Sequence, residues 1–381
     1  MKSGVFNRIQ RKSGPAILAG FCLSLLGIAP VVFASDLIWT SGPLPACDGL
    51  FQPTNGWIGA DGDYTVLLPN GVTLWLYSDS FIGKVSDHHR QPEKMINNSA
   101  AWQHGVQPTN AEVEFFYRRS NAGKPESLIT PADGHGWFWI YDAVIVQGKL
   151  FLFLPQIERV SGDSAFGFRL TAVWLAEISN PVAPPTRWQI AQTRIPFAQF
   201  GTGGNRCFGS AVLATNGFVY IFGTWEKGHG KKMILARAPE TTLADFSSWQ
   251  FRARNAWSTN VIEAAELCGR MASEYSVSWL AALRKYVLIC TQDGLSDKIQ
   301  LRTASAPWGP WSDAKVVYQC PDVKFGKNVF CYAAKAHPML ATQPDELVIT
   351  YAANSYELSD LMNDPRLYWP RFVRLQVQPV K

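Results

Sequence analysis

The sequence predicts an all-β protein: a five-bladed β-propeller with four-stranded antiparallel blades around a central channel. Three observations lead there. Long helical periodicity is scarce, whereas pairs of β-branched and aromatic runs joined by short turns recur along the chain. The pairs recur at a nearly even interval, their starting residues Asp61, Asp142, Ser210, Glu274 and His337 lying 81, 68, 64 and 63 positions apart. Tryptophan is abundant, with 15 copies in 381 residues, which suits strands or a sugar-binding surface better than a helical bundle.

The first pair occupies 59–81 and turns at Asn70-Gly71. The second, 137–156, turns at Gln147-Gly148, and the third, 207–225, at Asn216-Gly217. The fourth and fifth span 273–293 and 334–354. In each, the second run is almost continuously apolar, the mark of a strand buried on both faces. Weaker strand candidates follow the first pair at 97–103 and 111–119, and the third at 232–239 and 249–254. Four strands per unit and five units describe the propeller, with a large β-sandwich as the competing architecture. The segment 36–42 is expected to complete the blade that ends with 371–377. The polar stretch 84–94, with His88 and His89, reads as a solvent-exposed loop over the first blade.

Residues 1–34 read as a secretory signal peptide: Lys2, Arg8, Arg11 and Lys12, then an apolar run ending in Val32-Phe33-Ala34. An uncleaved membrane anchor is the alternative. The propeller domain would occupy 35–381 and be secreted or periplasmic, with no stable membrane span after cleavage. The formal charge of +5 largely belongs to this leader, since 31 basic and 30 acidic residues remain beyond it. A nucleic-acid footprint is therefore not expected. Six cysteines lie beyond the leader. In an exported chain, Cys320 with Cys331 is the best disulfide pair and Cys207 with Cys268 a second, while Cys290 reads as a buried thiol. No C-x-x-C spacing indicates a zinc site.

A propeller aims the starts of its inner strands, and the ends of the second strands, into one pocket. The starts offer Asp61, Asp63, Asp142, Ser210, Glu274, Ser276 and His337. The ends offer Asp79, Gln156, Glu226, Asp293 and Asn354. Acids among apolar strand residues must pair, hydrogen-bond or hold their protons. Two carboxyls in different environments are what glycoside hydrolysis needs, one as proton donor and one as base or nucleophile. Asp61, Asp142 and Glu274 form the strongest set; Asp63 is the weakest, since a local turn can use it. His337 is expected to line the channel, with a structural Ca²⁺ nearby as the one cofactor to consider, and Ser210, Trp225, Asp293 and Asn354 to contact substrate. Trp57 and Trp139 are further stacking candidates. Motifs of the G-x-S-x-G, H-E-x-x-H, P-loop and S-x-D-x-G-x-x-W kinds are absent.

The segments GWIGADGDYTVLLPNGVTLWLYSDSFIG (56–83), MINNSAAWQ (95–103), SEYSVSWLAALRKYVLI (273–289), YAAKAHPML (332–340) and YWPRFVRL (368–375) resemble secreted bacterial propellers catalogued as domains of unknown function 4185 and 5005. The 4185 group includes endo-D-arabinanases of glycoside hydrolase family 183, and the fold resembles the furanosidase propellers of families 43, 62 and 117. By motif, the resemblance implies that Asp61 and Asp79 sit in the active pocket; by blade position alone, Asp142 and Glu274 join them. Ser210 stands where some of these families carry a third-blade glutamate. The expectation is a hydrolase of furanosidic, arabinan-type polysaccharide, with Asp61 as base or nucleophile, Asp79 or Glu274 as acid and Asp142 tuning or positioning. A non-catalytic, lectin-like propeller is the alternative. A lyase or a phospho-sugar hydrolase is a further enzymatic one.

Overall fold

A computed structural model describes residues 37–160, 167–228 and 230–379. The expected leader, 1–34, lies outside them. The described chain is all-β, its helical content limited to short segments such as Pro45–Asp48 and Leu358–Asn363. None of its helices is long and apolar enough to cross a membrane.

Five sheets of four or more strands follow one another in sequence. The first pairs Tyr64–Leu67, Thr73–Tyr77, Ser99–His104 and Glu112–Phe116. The second is built on Ala143–Val146, Lys149–Arg159, Phe168–Ile178 and Ile190–Arg194. The third runs Asn205–Thr215, Phe218–Glu226, Lys231–Pro239 and Gln250–Arg252, with two short additions. The fourth runs Tyr275–Leu280, Lys285–Thr291, Lys298–Ala304 and Lys315–Gln319. The fifth is Val329–Ala336, Glu346–Ser355 and Pro370–Pro379, and Leu37–Pro43 completes it from the other end of the chain, Leu37 opposite Pro379.

The five expected hairpins are all present. Their turns follow from residue chemistry. Gln147-Gly148 and Asn216-Gly217 place both central residues at positive φ, the geometry that matches the twist of the flanking strands. The apolar second strands are buried as read, Thr73–Tyr77 without an exposed residue. The segment 84–94 departs from expectation. Ser80–Ser86 and His89–Ile96 form a hairpin turning at Asp87 and His88, in a three-stranded sheet with Asn55–Ala60. The polar sequence reads as a loop because, besides Val85, which packs partly against the core, one side chain of the turn-side half is fully buried. That is Arg90, buried and donating to the carbonyls of Ile58, Leu361 and Leu367.

The first strands of the five sheets touch in chain order. Thr65, bonded to His337 at 2.7 Å, joins the first sheet to the fifth. The core is correspondingly divided among the wedges between sheets. One cluster joins the first three sheets; a second joins the fourth, fifth and first; a third joins the third and fourth. Because every inner strand is shared by two wedges, a residue at its start is packed from both sides, leaving the strand-start position itself as the place where a polar group can emerge.

Candidate active site

Asp61 and Asp79 are brought together by the backbone. The Asp61 amide donates to the Asp79 carbonyl at 3.2 Å and the Ser78 amide to the Asp61 carbonyl at 2.9 Å. This clasp requires Gly62 at φ +95°, where an added Cβ would lie 2.9 Å from the Ser78 nitrogen. Two tyrosines from the end of the chain donate to Asp61 Oδ2: Tyr332 at 2.6 Å and Tyr368 at 3.1 Å. Asn354 Nδ2 donates to the Tyr332 hydroxyl at 3.1 Å. Asp61 Oδ1 is buried without a partner. Asp79 Oδ1 accepts from Asn97 at 3.0 Å and from Trp139 at 2.9 Å.

Both carboxyls hold their protons more tightly than a free aspartate. Burial is the main cause at each. Asp61 is raised well above its ordinary value, with the charges of Asp79 and Glu274 adding to burial and the two tyrosines opposing it. Asp79 is pushed up to about 6, against the bonds from Asn97 and Trp139. Two close carboxyls of this kind share protons as a pair.

Glu274 lies at the start of the fourth sheet, partly exposed, with its carboxylate 3.4 Å from the Lys335 ammonium. Asp142 is differently held. Its two oxygens accept backbone amides, Ala143 at 2.8 Å and Val212 at 2.7 Å, so it clamps the second sheet to the third. Burial raises it to about 7, with both amides and Lys335 acting in the opposite sense. These four acids retain part of their surface. Beneath them, Asp63 is wholly buried, at φ +56°, with neither oxygen bonded. Burial takes it to about 7, Lys335 pulling down and Glu274 pushing up.

The remaining expected residues divide. Asn354 joins the Asp61 cluster through Tyr332. Ser210 is wholly buried in a bulge of its strand. His337, expected on the channel wall, is 1% exposed, and Thr65 and Thr350 occupy its ring nitrogens at 2.7 Å each. It is a core histidine, held neutral as burial and then Lys335 push it down to about 3. Asp293 sits on the surface, paired with Arg270 at 2.6 Å. Trp225 is half-buried under the Arg206 guanidinium, 4.7 Å from its ring centre. Among the second-strand ends, Gln156 and Glu226 also bond locally, to Asp133 and Lys231.

No disulfide is formed: the six described cysteines are free thiols. Cys320 meets Cys331 through a thiol hydrogen bond that, with burial, pushes its ionisation up. Cys268 contacts Met271 Sδ at 3.7 Å, while Cys207 bonds Tyr141. Cys290 is a buried thiol that accepts from Gln300 at 3.1 Å. Among the described residues no three His, Cys, Asp or Glu are placed to share a metal, and an ammonium occupies the oxygen-lined position beside Glu274.

Sequence reasoning missed Tyr332, Tyr368, Asn97 and Lys335 as site residues. All four stand within the segments that carry the family resemblance, and that was the available signal.

The family described as Domain of unknown function (DUF5005) matches residues 46–377, and the chain belongs to it. None of the curated proteins searched matches. A candidate hydrolase from Bacteroides ovatus ATCC 8483 has the same fold, with a TM-score of 0.70, 19% identity and coverage of 91% of this chain and 93% of its own. An α-L-arabinofuranosidase from Podospora anserina, solved with cellotriose, gives 0.48 at 13% identity, covering 90% and 97%. A GH43_1 enzyme from Xanthomonas citri gives 0.45 at 15%, covering 88% and 89%.

Proposed function

We propose that this member of the DUF5005 family is a glycoside hydrolase on a five-bladed propeller, acting outside the cytoplasm on a furanosidic, arabinan-type polysaccharide. The observation that carries the reading is the Asp61–Asp79 pair. Both of its carboxyls hold their protons more tightly than a free aspartate, beside a third carboxyl, Glu274, that is paired with an ammonium. A carboxyl pair biased toward its protonated form and a carboxyl that faces a cation fit the two halves of acid–base glycoside cleavage. The description of the Bacteroides ovatus neighbour agrees with this reaction class.

In this reading the Asp61–Asp79 pair gives its proton to the leaving glycosidic oxygen as that oxygen's bond to the anomeric carbon breaks. Water bonds to the anomeric carbon, and Glu274 takes the proton that the water loses. The Asp61 role thereby moves from the base or nucleophile expected from sequence to the acid, because burial, and then the charge of Asp79, favour its protonated form. Tyr332 and Tyr368 hold Oδ2, leaving Oδ1 as the oxygen that faces no protein donor. Asp142 stays a positioning group, its oxygens engaged by backbone amides. That engagement is also the observation favouring a lectin-like module.

Mass-spectrometric product analysis with arabinan, arabinogalactan and other glycans tests the reading. Oligosaccharides released by the parent protein and not by Asp61→Asn establish the hydrolase. Silence across the panel, with glycan binding intact in both proteins, replaces it with the binding module.

A further inference from the structure

Lys335 has 1% of its side chain exposed. A lysine buried to that degree needs its charge and its three donors met. Here they are met by the site itself. The ammonium donates to the Gly62 carbonyl, to the Ala333 carbonyl at 2.8 Å and toward Glu274 at 3.4 Å. It lies 4.2 Å from the centre of the Tyr64 ring, a favourable seat for a cation. Asp63, Asp142 and His337 are the other titratable groups that feel its charge.

The two carbonyls are not arbitrary. Gly62 lies between Asp61 and Asp63, in a turn whose φ values are +95° at Gly62 and +56° at Asp63. Ala333 follows Tyr332, at φ +59°, within a bulge of the fifth sheet where the register shifts between Tyr332 and Lys335. Left-handed backbone at non-glycine residues is costly and persists where surrounding contacts enforce it. Both irregular segments turn a carbonyl to one ammonium. The segment bearing Asp61, the segment bearing its partner Tyr332, and Glu274 of a third sheet are thus gathered on a single nitrogen.

We infer that Lys335 is a positioning residue of this site, the built-in cation of the channel, which fixes Asp61, Tyr332 and Glu274 relative to one another and supplies the positive charge that lets several carboxyls share the site. The inference rests on the hydrolase reading for what the site does, but not for its test.

The test is an NMR titration of ¹³C-labelled aspartate carboxyls in the parent and in Lys335→Met, which keeps the chain length without the charge. The Asp63 and Asp142 midpoints are expected to rise by about one pH unit or more in the variant. Where the parent hydrolyses glycan, both limbs of its kcat/KM profile should move to higher pH in Lys335→Met, a displacement that loss of packing alone does not produce. If Lys335→Met does not fold, Lys335→Met/Asp63→Asn removes the buried charges together, which is often tolerated where removing one is not; Asp142 is then the reporter. Unchanged midpoints in a folded variant overturn the inference. Failure of the double variant to fold overturns it too, assigning Lys335 to holding the fold. A parent inactive on every glycan removes the hydrolase reading and leaves the titration standing.

Discussion

Asp61 and Asp142 occupy equivalent places, each just before the first strand of its sheet, yet the molecule treats them differently. Asp61 is met by hydroxyls from the far end of the chain, with one oxygen facing no donor. Asp142 is met by two backbone amides, one local and one from the next sheet. A hydroxyl can both donate and accept, so the Asp61 environment tolerates either protonation state. A backbone amide only donates, so both Asp142 oxygens are wanted as acceptors. Position in the fold thus sets both acids before the first strand of a sheet, and the type of partner decides whether an oxygen is left without a donor or both are committed to holding two sheets together.

The sharpest break in this comparison is Asp61→Asn. Glycan turnover should fall on the order of 10²–10⁴-fold with the thermal unfolding midpoint nearly unchanged. Equal loss of stability would make Asp61 a second clamp. Asp142→Asn is the mirror experiment. The amide group can accept one of the two backbone donors but not both, leaving a buried N–H unpaired. Denaturant titration should show a loss of about 1–3 kcal/mol, with turnover affected less than in Asp61→Asn. Tyr332→Phe is smaller. It removes one donor that favours the ionised Asp61, so turnover should drop about tenfold and the limb assigned to the Asp61–Asp79 pair should move to higher pH. A further effect, of a different kind, is on stability against pH. Asp63 and Asp142, near 7, and Asp79, near 6, are all raised above their unfolded values. Each contributes stability that is fully present below about pH 4 and is lost as pH rises through its folded value. Stability should therefore decline from pH 4 to 7, and Asp63→Asn should flatten part of that decline in denaturant titrations.

The repeating hairpins were legible because their turns and buried second strands have local causes. Gln147 and Asn216, each followed by glycine, announce left-handed turns, and Thr73–Tyr77 announces a strand covered on both faces. Asp61 and Asp79 were legible as a pair by motif. What bonds to them was not, because Tyr332 and Tyr368 are 271 and 307 positions from Asp61 and read as ordinary strand aromatics. Lys335 was missed since a lysine in a strand is normally a surface residue. His337 misled because it stands just past the end of Val329–Ala336, not at the start of that strand, and Thr65 and Thr350 satisfy both of its ring nitrogens in the core. Asp293 sits at the predicted strand end, but Arg270 captures it at the surface. The hairpin around His88 was hidden by a composition that only Val85 and the inward Arg90 contradict.

The pairing of Leu37–Pro43 with Pro370–Pro379 gives the fold an order of assembly. A chain made from its amino end exposes this strand long before the partner exists, so the fifth sheet can be completed only once Pro370–Pro379 is available. Until then the fifth sheet carries an unsatisfied edge of the kind that recruits other chains. The same adjacency makes the ends interchangeable with any turn. A circular permutant joining 379 to 37 by a short linker and opened at Asn216-Gly217 should retain the site, whereas deleting 37–43 should promote self-association.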